Sequence, residues 1–168
     1  IDFNENNLDT FGIAIGGSLG SNKEEMKNIV NFTASKLSKH KPVHLLGIGD
    51  PIDIWSFVDQ GIDTFDCVSP TRLARHGTVL IRGKKGKINL KHTIYKDNLA
   101  PIDHLCICYT CKNFSLSYLH HLVNSQELLA HQLLTNHNIF YMNNLMKIIR
   151  KSIAENNIKE VRKNWFID

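Results

Sequence analysis

The sequence predicts an α/β fold, specifically part of a (β/α) barrel followed by a mainly helical tail, and three observations lead there. Short apolar runs ending in glycine alternate with amphipathic segments from about Phe11 to Val68, the signature of successive β and α elements in a parallel sheet. After Ser69 the pattern changes to a hairpin with a basic tip. Beyond that, three of the four cysteines crowd between Cys106 and Cys111.

Taken in order, Phe11-Gly12-Ile13-Ala14-Ile15 reads as a buried strand ending on Gly16-Gly17. The segment from Asn22 to Lys39 places Met26, Ile29, Val30, Ala34 and Leu37 at helical spacing. Asn22 is the expected N-cap, with Glu24 and Glu25 in the first turn. Val43 to Gly49 repeats the strand-then-glycine design. A second helix is expected to start near Pro51, with Ile52, Ile54, Trp55 and Val58 on one apolar face and Gly61 as its stop. A third strand follows from Ile62 to Val68.

Three such units cannot close a barrel, which usually needs eight strands and about 250 residues, so the chain is expected to lack its first strands or to borrow them. A start at Ile1, in a polar segment, also suggests a piece of something longer.

Thr78 to Arg82 and Lys87 to Leu90 flank Gly83-Lys84-Lys85-Gly86 as a hairpin. Helical patterns follow at Ser115 to Val123, Gln126 to Thr135 and Ile139 to Glu155, with a break expected at Thr135-Asn136-His137-Asn138.

Composition bounds the function classes. With 42% hydrophobic and 21% charged residues over 168 positions the chain is long enough to bury a core and is not disordered. A net charge of +4 is compatible with a polyanionic partner but too mild to establish one. No apolar run reaches the roughly 18 residues that would span a bilayer, and no signal-like leader opens the sequence, so a cytoplasmic protein with no membrane partner is expected.

The cysteines point to metal rather than to disulfides in a reducing compartment. Cys106-x-Cys108-x-x-Cys111 brings three thiols within reach of one ion, and zinc prefers four tetrahedral sulfur or imidazole ligands. His120, His121, His131 and His137 are the downstream candidates, and spacing does not choose among them. A closed site of this kind would be structural, because no position is left for water or substrate. Cys67, outside the cluster, is expected to be a small packed residue.

Asp66, in Phe65-Asp66-Cys67-Val68, is a carboxylate in an apolar segment, where an unpaired charge would be costly. At the C-terminal end of a barrel strand it would occupy a catalytic position; the structural alternative is a charge neutralised by Arg72 or Arg75. Asp63 is the competing acid, placed by strand alternation on the opposite face.

The segments Ile13-Ala14-Ile15-Gly16-Gly17, Phe65-Asp66-Cys67-Val68, Pro70-Thr71-Arg72, Cys106-x-Cys108-x-x-Cys111 and Tyr118-Leu119-His120-His121-Leu122 occur in an order that resembles the tRNA-guanine transglycosylase family. The likeness covers nearly the whole chain. It implies the C-terminal part of a (β/α)8 TIM barrel with an inserted zinc-binding subdomain. Residues 1–77 would supply the last βα units, 78–138 the hairpin and zinc subdomain, and 139–168 a C-terminal helical segment packing on the barrel.

By the same resemblance, Asp66 is the nucleophile that forms a covalent ester with ribose and expels guanine. Gly16 and Gly17 form the base-binding turn, Arg72 and Arg75 face tRNA, and His137 joins Cys106, Cys108 and Cys111 as the ligands of one structural Zn2+. The activity implied is exchange of the wobble guanine of a tRNA with a GUN anticodon for a 7-deazaguanine, queuine or its aminomethyl precursor, by a homodimer, in queuosine biosynthesis. The general acid/base aspartate would come from the missing N-terminal half of the barrel, so the chain alone is expected to be inactive.

The chain departs from many bacterial members at Ser18-Leu19-Gly20-Ser21-Asn22, where they continue the double glycine with Leu, a small residue and a Gly-Glu pair. Two other readings are a non-catalytic zinc-containing tRNA-binding accessory subunit and an archaeosine-type transglycosylase. Retention of Asp66 in its motif disfavours the first, and the helical end at Asp168 with no appended RNA-binding domain disfavours the second.

Overall fold

The computed structural model describes residues 9–17 and 19–167; the opening residues and Ser18, within the segment that departs from bacterial relatives, lie outside them. The described residues divide into two compact units, one up to Val68 and one from Ser69 onward.

In the first unit the expected alternation is realised as β1 (Ile13–Ile15), α1 (Lys23–Ser35), β2 (Val43–Leu45), α2 (Pro51–Val58) and β3 (Thr64–Phe65). The strands form a parallel sheet in the order β1-β2-β3, with Ile13 opposite Val43 and His44 opposite Thr64. Its core packs Ile15, Val43 and Leu45 against Met26 and Val30 of α1 and Phe57 of α2.

Local chemistry explains the helix starts. Asn22 caps α1 by accepting the Glu25 amide at 2.9 Å, and the Glu25 carboxylate in turn accepts from the Ser21 amide and hydroxyl at 2.7 Å each. Asp50 caps α2 ahead of Pro51, whose missing N–H costs nothing at a helix start. Lys23 joins the two starts, its ammonium 2.9 Å from the buried Asp53 carboxylate.

Several boundaries differ from the sequence reading. The helix from Asn22 stops at Ser35 rather than Lys39, because its end tightens into shorter-range bonds from Lys36 to Thr33 and from Leu37 to Ala34. On α2 the buried residues are Asp53, Ile54, Trp55 and Phe57, while Ile52 is exposed. The third strand is shorter than Ile62 to Val68: its ladder ends at Phe65, which leaves Asp66 just beyond the sheet.

The second unit contains α3 (Ser69–Arg75), the hairpin β4 (Thr78–Leu80) and β5 (Lys87–Asn89), α4 (Tyr109–Asn113), α5 (Leu116–Asn124), α6 (Leu128–Ala154) and α7 (Ile158–Trp165). The hairpin is antiparallel, Val79 opposite Ile88, as its glycine-lysine turn predicts. Leu90, Leu116, Leu119, Leu133 and Leu134 form its core with Cys108 and Cys111.

The two helices expected on either side of Thr135–Asn138 are one helix of 27 residues. The polar run reads as a break because Asn and Thr favour caps and turns. Here His137 and Asn138 are fully buried and their side chains bond to the hairpin, so tertiary partners satisfy them without interrupting the helix. Among the described residues no helix is long and apolar enough to cross a membrane.

Candidate functional site

Two groups of chemically capable side chains form, one in each unit. The first lies at the C-terminal edge of the parallel sheet. β1 runs into Gly16-Gly17, β2 into Leu46-Gly47 and β3 into Asp66. The Leu46 amide donates to the Ile15 carbonyl at 2.9 Å, continuing the β1–β2 ladder.

Two features favour glycine at this edge. A Cβ on Gly16 would lie 2.5 Å from Leu46 Cδ1, whereas Gly17 (φ +91°) and Gly47 (φ +74°) occupy the left-handed region that side chains disfavour. The Gly47 amide donates to Asp66 Oδ1 at 3.0 Å, and His44 Nε2 lies 3.1 Å from the same oxygen. His44 Nδ1 is 2.8 Å from the Thr64 hydroxyl.

Within this chain Asp66 is not the buried charge that its apolar neighbours suggest: it lies just past the end of the β3 ladder, and its side chain is 60% exposed. The Gly47 amide first, and the His44 ring second, hold its carboxyl below the usual carboxylate range. It is an ionised, solvent-facing carboxylate with one anchored oxygen. Asp63 is spent otherwise, accepting the Val43 amide at 2.7 Å, which agrees with its opposite orientation. Cys67 abuts Gly49, where an added Cβ would come within 2.3 Å of the cysteine Cβ, so its role is close packing.

The second group is the cysteine cluster. Cys108 caps α4, its sulfur accepting the Cys111 amide at 3.3 Å, and this turn folds three thiols inward. His137, from the middle of α6, presents Nδ1 at 3.8 Å from Cys106 Sγ, 3.5 Å from Cys108 Sγ and 3.3 Å from Cys111 Sγ. All four donor atoms lie within 4.8 Å of one another, so the cluster can hold a metal ion.

The donor set fits zinc. A tetrahedron with the usual Zn–S and Zn–N lengths has edges of roughly 3.5–3.8 Å, close to the spacings seen. His137 Nε2 donates to the Leu80 carbonyl at 2.8 Å, which leaves the Nδ1 lone pair facing the sulfurs. A hydrogen bond from Cys111 draws Cys108 well below the usual thiol range, so one sulfur of the cluster is already a thiolate, the form that ligates metal.

The structure also resolves the choice among histidines. His120 Nδ1 is 2.6 Å from the Leu90 carbonyl, and Asn124 packs on the same ring, so it is committed to the hairpin end. The cluster that could hold a metal includes His137 and none of the other candidates.

Arg72 and Arg75 are both exposed on α3 in the second unit. Three contributors were not singled out by sequence: His44, Gly47 and Asn138. The usable signal for His44 was strand alternation, since it shares a sheet face with Thr64 and Asp66 once the β2–β3 register is known. Asn138 carried no local signal.

A family model described as queuine tRNA-ribosyltransferase matches residues 4–168. The chain belongs to that family. Similar proteins named queuine tRNA-ribosyltransferase include one from Roseiflexus sp. (strain RS-1), 46% identical over 156 residues covering 92% of this chain and 39% of that protein. Others come from Francisella tularensis subsp. tularensis (strain WY96-3418) and subsp. novicida (strain U112), each 45% identical over 94% of this chain and 43% of theirs. The chain thus spans about two fifths of the length of the curated relatives it matches.

Proposed function

We propose that this chain is the nucleophile-bearing and metal-bearing C-terminal portion of a tRNA-guanine transglycosylase, which exchanges the wobble guanine of tRNA for a 7-deazaguanine. In this reading β1 to β3 are the last strands of a (β/α)8 barrel, and its active face is the edge where the three strands end. The single observation that carries the proposal is Asp66: an exposed, ionised carboxylate at a strand end, anchored through one oxygen and leaving the other for substrate.

In the first step Asp66 Oδ2 attacks C1′ of the target ribose. The glycosidic C–N bond breaks with oxocarbenium character, its electron pair leaves with guanine, and guanine takes a proton from an acid in the barrel half outside this chain. The product is an aspartyl ester of tRNA. In the second step the incoming 7-deazaguanine, queuine or its aminomethyl precursor, gives its ring N–H proton back to that group and attacks C1′. The C1′–Oδ2 bond breaks and Asp66 returns as a carboxylate. Gly16 and Gly17 leave space for backbone groups to hydrogen-bond the flat base, and exposed Leu46 lies beside them.

Arg72 and Arg75 present guanidinium groups suited to tRNA phosphates or base edges. Cys106, Cys108, Cys111 and His137 would hold one zinc ion, whose four protein donors leave no open position and make it structural. Assembly as a homodimer belongs to the same reading; the exposed Leu105, Ile107, Tyr109 and Tyr118 around the cysteine loop offer apolar surface for it.

The test uses the full-length protein, radiolabelled guanine and a tRNA with a GUN anticodon. Label is expected to enter tRNA, and Asp66→Ala is expected to abolish entry while bound zinc is unchanged. A denatured protein–tRNA adduct should form with the wild type and be missing from the variant. Undiminished exchange by Asp66→Ala removes Asp66 from the mechanism.

A further inference from the structure

We propose that His44 is a positioning residue for the exchange reaction: together with the Gly47 amide it clamps Oδ1 of Asp66, so that Oδ2 is the oxygen presented to ribose. The inference rests on the reading of Asp66 as the nucleophile.

The sheet register makes the clamp. His44 pairs with Thr64 across β2 and β3, and Asp66 follows Thr64 on the same face two residues on. The ring spans both, Nδ1 at 2.8 Å from Thr64 Oγ1 and Nε2 at 3.1 Å from Asp66 Oδ1. On the other side β1 places Ala14 at the matching position, so within this sheet Asp66 is the charged group facing the imidazole.

Donor and acceptor rules then orient the ring. An ionised carboxylate only accepts, so Nε2 carries the proton and donates to Oδ1; in the neutral ring Nδ1 accepts the Thr64 hydroxyl proton. With the Gly47 amide at 3.0 Å on the same atom, two donors converge on Oδ1.

The clamp acts at both ends of the reaction. Before attack it fixes the carboxylate so that its second oxygen keeps one orientation. In the ester, Oδ1 is the carbonyl oxygen and still faces both donors. When the new base attacks C1′, the electron pair of the breaking C1′–Oδ2 bond returns to the carboxylate, and the donors stabilise that charge as it develops. No proton moves through His44.

Two variants test this. His44→Phe keeps a ring without donors, and His44→Gln restores an N–H. In the full-length protein, the Asp66 carboxyl signal followed by carbon NMR should titrate at higher pH in His44→Phe and return toward wild type in His44→Gln. In the full-length protein, His44→Phe should lower kcat about tenfold with KM for tRNA within about twofold, the size expected for losing a hydrogen bond to a charged group. Its acidic limb should move up in pH, and His44→Gln should recover most of the rate.

Wild-type titration and wild-type kcat in His44→Phe overturn the inference, as does an equal loss in both variants or an effect confined to KM. These outcomes are separable from failure of the function itself: continued exchange by Asp66→Ala overturns the nucleophile, whereas a dead Asp66→Ala beside an unimpaired His44→Phe overturns the clamp alone.

Discussion

His137 and Leu80 are joined across the second unit by a hydrogen bond of 2.8 Å, from the imidazole Nε2 to the strand carbonyl, and the Leu80 amide is taken by the neighbouring Asn138 Oδ1 at 2.9 Å. Both backbone groups of one hairpin residue are thus satisfied by consecutive side chains of α6. The same contact fixes the tautomer that turns His137 Nδ1 toward the three sulfurs. One contact ties the cluster that could hold a metal ion to the hairpin.

Asn138→Ala should destabilise the chain by about 2–4 kcal/mol, because it strips partners from three buried backbone groups, the Leu80 amide and the Pro70 and Thr78 carbonyls. Urea unfolding followed by circular dichroism measures this. Bound zinc should remain near the wild-type amount, since the four donors are untouched.

Cys108→Ser should lower bound zinc and stability together. Cys108 is both one of the four side chains that could hold the ion and the cap of α4, and a structural zinc would contribute directly to folding. Metal analysis of wild type and variant, with melting before and after a chelator, reads both effects. A wild type purified without zinc and insensitive to chelator would refute the assignment.

The Lys23–Asp53 pair predicts a pH-dependent contribution in the first unit. The Asp53 hydrogen bond raises the Lys23 pKa from its ordinary 10.5. A pKa raised on folding stabilises fully below the unfolded value and is lost as pH climbs through the folded one. Lys23→Met should therefore be less stable than wild type at neutral pH, by about 1 kcal/mol or less because water screens the 64% exposed ammonium, and the difference should shrink above pH 10.5. Denaturant midpoints at pH 7 and at strongly alkaline pH give the comparison.

Trp165→Ala should loosen α7. The indole meets Tyr141 edge to face at 5.6 Å and carries the Arg82 guanidinium at 4.6 Å, while the Trp165 carbonyl accepts the Gly83 amide at 3.1 Å. Loss of a buried Trp should cost about 3–5 kcal/mol. Hydrogen exchange should show the cost as faster opening from Ile158 to Trp165, with little change in the first unit.

How much was legible beforehand depends on how local each signal is. Asn22, Asp50-Pro51 and Ser115 announce helix starts because capping is settled within three or four residues. Gly83 to Gly86 announces the hairpin for the same reason. The cysteine triple announces a candidate metal site because its three thiols share one turn. Asp66 was recognisable as a functional candidate, but its exposure was not, since that depends on where the β3 ladder stops.

Legible along the chain were the alternation of strands and helices, the Asn22 cap, the hairpin and the three cysteines of the cluster that could hold a metal ion, all of them settled by sequence neighbours. Folding alone set the unbroken course of α6 through Asn138 and the grip of His44 and Gly47 on Asp66, and it brings His137, which spacing left open and only the family resemblance singled out, against the three cysteines. Each of those depends on a hydrogen-bonding partner from a distant strand, helix or loop. A polar side chain shows its role only when folding brings that partner within about 3 Å.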